Sequence, residues 1–246
     1  MYNQYVILAD AKPGRDDQYD DWYVWVHTRD VMRARPAAIS AQCFRRIAID
    51  LNHGRPARYN QSFLCLYENS DPVAMTGPPY QPNGEMLISS AADTTTAPGG
   101  GYYDTVIELI KSPGRAGATI VIEYIEASAA SVQNIEWYIS MRFSAFMQTP
   151  GILTGWLGKA SAHQIFPAPR PDYMAVYHLA QPDVAAPAWA AAAGLPPPWD
   201  AGDVTASCFR PISARLTRLQ LLEPDDVMRE TARVMREMVV RREKPA

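Results

Sequence analysis

The sequence has no basic stripe, no cysteine pair, no long apolar run and no phosphate loop, and each absence removes a class of function. Lys and Arg number 23 against 26 Asp and Glu, and the densest arginine segments, 29–46 and 229–242, interleave apolar residues or acids. Neutralising a phosphate backbone takes a continuous cationic face, so nucleic acid is not an expected partner. The three cysteines, Cys43, Cys65 and Cys208, are odd in number, far apart and set in apolar runs. That is the pattern of buried free thiols in a reducing compartment. No apolar stretch reaches the roughly 18 residues that a membrane span needs, and the first residues lack the basic start of a secretory signal. A cytoplasmic protein with no membrane partner is expected. The four histidines, His27, His53, His163 and His178, are not spaced as ligands, so no metal is expected. Neither GxxxxGKS, GxGxxG nor GxSxG occurs, which argues against nucleotide cofactors and a serine nucleophile elbow.

What the sequence does hold is apolar and aromatic. Hydrophobic residues make up 48% of 246, with six Trp, thirteen Tyr and six Phe, enough to line a small-molecule pocket. Tyr5 to Ala9 reads as a buried strand ended by Lys12-Pro-Gly14. Acids at Asp16, Asp17, Asp20 and Asp21 then favour a helix start, running to about Met32. Tyr19, Trp22, Tyr23, Val26, His27 and Asp30 fall on one face of that helix. Strands are expected over 37–50 and 58–68 with a hairpin turn at Asn52-His-Gly54. A Pro- and Gly-rich loop over 70–101 has the makings of a lid, interrupted by a short helix at Glu85 to Ala92. Tyr103 to Lys111 is a further strand.

The plan then repeats. Ile120 to Tyr124 reads as a strand, Ser131 to Met147 as a helix, Gly151 to Phe166 and Tyr173 to Leu179 as strands, and Trp189 to Ala193 as a short helix. Trp22-Tyr23 precedes Pro36 by 14 residues and Trp137-Tyr138 precedes Pro150 by 13. A shift of 115 also sets Tyr5-Val-Ile on Ile120-Val-Ile. The implied architecture is α+β: two ferredoxin-like βαββαβ repeats, over 1–111 and 112–223, followed by a C-terminal helix over 224–246. That helix carries acids first, bases last and an apolar stripe, suited to packing on its own domain or to dimerisation. Monomer and homodimer both remain open. Under the same shift His27 faces Arg142 and Asp30 faces Ala145, so the second helix keeps the aromatic anchor and loses the imidazole and the carboxylate.

Pro13-Gly-Arg-Asp-Asp-Gln-Tyr19, Trp22-Tyr-Val-Trp-Val-His27-Thr-Arg-Asp30-Val31 and Ser40-Ala-Gln-Cys-Phe-Arg45 together resemble the EthD-like branch of the dimeric α+β barrel superfamily. Gly84 to Asp93 resembles that family's short second helix. Arg29 stands where a proline often follows the histidine by two. The resemblance implies two sheets closed into a barrel, here within one chain, with a pocket between each sheet and its helices. Such relatives include isomerases, cyclases, cofactor-free monooxygenases, dehalogenating and decarboxylating enzymes and haem enzymes. No cofactor is expected here, and His163 or His178 are the residues that would have to serve a haem.

His27 is the leading candidate for general acid/base chemistry, with Asp30 three residues on to orient it and stabilise its cation. Tyr23 shares the inward face and is the third catalytic candidate. Substrate-lining candidates are Trp22, Arg45, Tyr59, Tyr124, Tyr138 and Arg142. A guanidinium on an inward helical face needs an anion, and Glu123 or Glu126 on the neighbouring strand is favoured over a substrate carboxylate for Arg142. The expected function is a cofactor-independent lyase, decarboxylase or isomerase acting on a hydrophobic, aromatic or polyketide-like small molecule. The alternatives are a carrier without turnover, a cofactor-free monooxygenase, and a scaffold whose pockets its own side chains fill.

Overall fold

A computed structural model describes residues 3–71, 73–74, 88–93, 99–112, 119–126, 131–164, 169–193, 195 and 204–243. Eight strands form one closed antiparallel sheet: β1 (Asn3–Ala9), β2 (Ala38–Ile47), β3 (Phe63–Asn69), β4 (Gly99–Ile110), β5 (Thr119–Ile125), β6 (Ile152–Ala160), β7 (Tyr173–Leu179) and β8 (Val204–Pro211). Their neighbour order is β3-β1-β4-β6-β7-β5-β8-β2, and β2 closes back on β3. Within each half the spatial order is that of a ferredoxin-like sheet. The seams are β4 with β6 and β2 with β8, so the barrel that two subunits could build is completed by one chain. A two-residue strand, β9 (Leu216–Thr217), extends the β8 side of β2.

Strand alternation sorts the core into three clusters. Val6, Leu8, Phe44, Leu64, Ile122, Tyr124, Trp156 and Val176 fill the barrel interior. On the outer side, one cluster lies under the first-half helix and another under the second-half helix. Each of these helices is α-helical at both ends and π-helical in the middle. The first runs as α1 (Asp16–Trp22), π1 (Tyr23–His27) and α2 (Thr28–Ala34); the second as α3 (Val132–Trp137), π2 (Tyr138–Phe143) and α4 (Ser144–Gln148). Both wide turns begin at the tyrosine of the repeated Trp-Tyr. A π turn stacks residues five apart, and His27 accordingly lies over Trp22 with ring centroids 4.7 Å apart.

Several boundaries differ from the expected ones. Triple glycine 99–101 opens β4 rather than ending a loop. Gly100 has φ +95°, and a Cβ there would stand 2.3 Å from the Val6 carbonyl oxygen, so only glycine permits this strand contact. The Asn52-His-Gly54 turn forms, with His53 and Gly54 at positive φ and Asp50 accepting from the Asn52 and Gly54 amides. The connection is nevertheless long, from Ile47 to Phe63, because its own residues are structural. Tyr59 packs on Tyr124 in the barrel, and the Asn52 side chain exchanges two hydrogen bonds with the Ala206 backbone. The strand expected from Gly151 stops at Ala160, and the short helix α5 spans Ala185–Ala193. Of the helix expected at Glu85 to Ala92, residues 85–87 lie outside the described ones. The remainder is a turn in which Ala92 bridges Ala11. Most of the expected lid also lies outside the described residues.

After β9 come α6 (Arg218–Leu222), capped reciprocally by Thr217 and Gln220, and α7 (Asp226–Glu243). α7 packs on its own chain, running antiparallel across the first-half helix, with Val227, Val234 and Met238 left exposed. Val239 is buried there, Arg242 pairs with Asp21 at 2.7 Å and Arg236 with Asp30 at 2.8 Å. No described helix is long and apolar enough to cross a membrane.

Candidate functional site

Superposing strand on strand corrects the repeat by one residue. Tyr5 faces the helix whereas Ile120 faces the barrel interior, so the partner of Tyr5 is Val121 and that of Ile7 is Glu123. A one-residue slip exchanges the faces of a strand, which is why the 115 shift holds for the helices and fails for these strands. Tyr23 matches Tyr138, His27 matches Arg142, and Tyr67 on β3 matches Tyr177 on β7, each in the layer between helix and sheet.

In the second half this layer is closed by its own polar groups. Glu123 is fully buried. It accepts from Arg142 Nε at 2.8 Å and pairs with its Nη2 at 2.7 Å, and it takes a very short hydrogen bond from the Tyr138 hydroxyl. Tyr138 and Tyr177 hydroxyls meet at 2.7 Å, and Tyr177 reaches Glu123 at 3.3 Å. The Arg142 guanidinium also lies 4.7 Å over the Trp189 ring. Burial opposes the charge on Arg142, but the Glu123 carboxylate outweighs it and holds the pKa above the ordinary arginine value. Gly155 admits this packing, since a Cβ there would stand 2.4 Å from Met147 Sδ.

The first half keeps the tyrosines and loses the ion pair. Tyr67, Tyr5 and Tyr102 are direct cross-strand partners on β3, β1 and β4, forming one row beneath the helix. Tyr5 stacks on Tyr102 at 4.2 Å and lies 5.9 Å from Tyr67. The second-half counterpart of this row is Tyr177, Val121 and Cys208. Tyr23 packs on Phe63 at 4.4 Å and on His27 at 4.8 Å. Two side-chain atoms of this layer, His27 Nδ1 and Tyr102 Oη, are buried without a hydrogen-bond partner, while the Tyr67 hydroxyl faces Thr28 and Cys65. Buried polar groups are nearly always paired, so these atoms stand out in the layer. Burial lowers the His27 pKa from 6.5 to about 4, against a smaller opposing effect of Asp30. Burial likewise pushes the phenols of Tyr23, Tyr67 and Tyr102 up, with Tyr67 and Cys65 adding to the effect at Tyr23. The layer therefore offers a neutral imidazole as acceptor and protonated phenols as donors near neutral pH.

The sequence candidates divide accordingly. Trp22, Tyr23 and His27 come together. Asp30 does not orient His27: its carboxylate receives Arg236 Nη1 at 2.8 Å and Nη2 at 3.3 Å, with Arg33 at 3.4 Å. The C-terminal helix has claimed it. Arg45 is not a pocket residue but a tie between β2 and α1, bonded to Asp20, Asp16 and the Ser62 hydroxyl. Tyr59 and Tyr124 line the barrel interior, across the sheet from His27, and Tyr59 belongs to a loop rather than a strand. Tyr138 and Arg142 lie in the second-half network, with Glu123 as the internal partner. Sequence reasoning missed Tyr5, Tyr67 and Tyr102, whose alignment depends on a strand order that no local pattern encodes. Among the described residues no group of three or more His, Cys, Asp or Glu could hold a metal ion.

No family model and no curated protein matches the sequence. Solved structures match it in shape. A candidate monooxygenase of Fusobacterium nucleatum subsp. nucleatum superposes with a TM-score of 0.52 at 8% identity, over 87% of this chain and 93% of that one. An anthrone oxidase-like protein does so with a TM-score of 0.52 at 9% identity, over 88% of this chain and 92% of that one. At such identities what is shared is the path of the backbone, and this chain has the dimeric α+β barrel fold with both halves in a single polypeptide.

Proposed function

We propose that the chain is an enzyme acting on a hydrophobic, aromatic or polyketide-like small molecule, and that its site is the first-half layer between helix and sheet. One observation carries this reading. His27 Nδ1 and Tyr102 Oη are buried without partners in the first half, while the second half ties Tyr138 and Tyr177 to Glu123 internally. A phenol, enol or carboxylic acid would meet donors in Tyr67 and Tyr102 for its oxygen and an acceptor in neutral His27 for its proton. The aromatic rings of Trp22, Tyr23 and Tyr5 would hold its apolar body. Proton transfer of this kind leads to isomerisation, elimination or decarboxylation without a cofactor. The spaced motifs of residues 13–45 support placing the first half in the EthD-like branch. The unpartnered atoms likewise favour catalysis or binding over a filled scaffold. A second reading, cofactor-free oxygenation of the same substrate anion by dioxygen, draws on the likeness to the anthrone oxidase-like protein.

The test is product detection by mass spectrometry. Wild type and His27→Ala are incubated with aromatic acids, enol lactones and polyketide-like phenols, with and without oxygen. Loss of water or carbon dioxide, or a change of structure at constant mass, is expected for wild type and is at least about a hundredfold slower in His27→Ala. An oxygen-dependent product favours the second reading. Turnover untouched by His27→Ala removes the assignment of the base.

A further inference from the structure

A separate cavity of about 500 Å³ lies where the first-half helix meets the C-terminal segment. Ala41 and Cys43 of β2, Val24, Leu216 and Met228 give it apolar walls. Its volume is within the roughly 300–1,000 Å³ typical of small-molecule sites. None of the residues assigned above to proton transfer lines it.

One charge in its wall stands out. The Arg29 guanidinium sits 4.8 Å over the Trp25 ring and donates Nη1 to the Val24 carbonyl at 2.7 Å. No carboxylate lies within ion-pair distance of it among the described residues. The other charged groups of the wall are engaged. Asp20 binds Arg45, Asp21 binds Arg242, Arg215 binds Glu68, and Asp225 accepts from the Met228 amide at the start of α7. Burial and then the neighbouring Arg33 depress the Arg29 pKa, as expected of a cation short of compensation. A half-buried guanidinium with donors to spare matches a carboxylate in geometry as well as in charge.

We infer that this cavity binds an apolar carboxylate, an aromatic or aliphatic acid whose charged end is received by Arg29 and whose body fills the space beneath α7. α7 forms one wall, so the site is shared between the first half and the segment that follows the second.

The test titrates the full-length protein calorimetrically with 2-naphthoate and with neutral 2-naphthamide. Naphthoate is expected to bind tighter by about tenfold or more, the worth of a hydrogen bond to a charged group. Arg29→Gln erases that preference, Arg29→Lys recovers part of it, and Thr231→Trp, a change on the exposed α7 wall, weakens both probes. His27→Ala leaves the Arg29-dependent preference for naphthoate over naphthamide unchanged. Equal affinity for the two probes, no binding, or a preference that survives Arg29→Gln overturns the inference. Naphthoate binding that is lost in His27→Ala and kept in Arg29→Gln also overturns it, and assigns that ligand to the proton-transfer layer instead.

Discussion

The two halves place the same pair of tyrosines between helix and sheet and surround them differently. In the second half Glu123 and Arg142 tie Tyr138 and Tyr177 into a closed network. In the first half Ile7 and His27 occupy the matching positions, and the Tyr67 hydroxyl has Thr28 and Cys65 beside it rather than a carboxylate and a phenol. Carboxylate and guanidinium are absent together, as they must be, because either one alone would be a buried unpaired charge. One layer thus ties its polar groups to one another, and the other leaves His27 Nδ1 and Tyr102 Oη without partners.

The strongest way to break this comparison is at Glu123. Glu123→Ala strands Arg142 in the core and is expected to destabilise by about 3–5 kcal/mol in denaturant unfolding, whereas the paired change Glu123→Leu with Arg142→Met recovers most of the loss. A cost below about 1 kcal/mol for the single change would show that the network is not a closed unit.

His27 comes next. Its pKa is about 4 in the folded state against 6.5 unfolded. Between those values the unfolded chain takes up a proton that the folded chain refuses. The stability owed to the neutral ring is therefore complete above pH 6.5 and is lost as pH falls toward 4, to a total of about 3 kcal/mol. His27→Gln should flatten that part of the stability curve. An unchanged slope would place the ring in water.

The smallest effect is the sharpest contrast. Tyr177→Phe removes a bonded hydroxyl and should cost about 1–2 kcal/mol, while Tyr102→Phe removes an unbonded one and should be neutral or slightly stabilising. Similar losses at both positions would mean that the halves are equally satisfied.

Much of this scaffold was legible in the sequence, because its helices and strands are marked by periodicity. Tyr173 to Leu179 is a strand with the expected ends, and Tyr19, Trp22, Tyr23 and Val26 of the expected helix face are inward, while Asp30 turns to α7. An internal carboxylate for Arg142 followed from the rule that an inward guanidinium needs an anion, and of the two candidates, Glu123 and Glu126, the structure has Glu123. Other features were hidden for physical reasons. A π turn leaves no trace in side-chain type, so the stacking of His27 on Trp22 could not be foreseen. The partner of Asp30 is 206 residues away, and helical spacing alone pointed it at His27. Tyr59 reads as a strand residue because burial, not hydrogen bonding, is what aromatic character reports. The row Tyr67, Tyr5 and Tyr102 appears only once three strands are laid side by side.

The seams that close the barrel also set an order on its making. Phe44 pairs with Pro211 and Arg46 with Phe209, so β2 waits for residues made more than 160 positions after it. The strands β2, β3, β1 and β4 can assemble as they emerge, but both outer edges of that half-sheet stay open until β6 and β8 arrive. Bringing such distant segments together is slow, and open strand edges recruit other chains. The nascent chain with only its first half complete is therefore the form most exposed to aggregation, and the period during which a chaperone would matter ends when β8 docks.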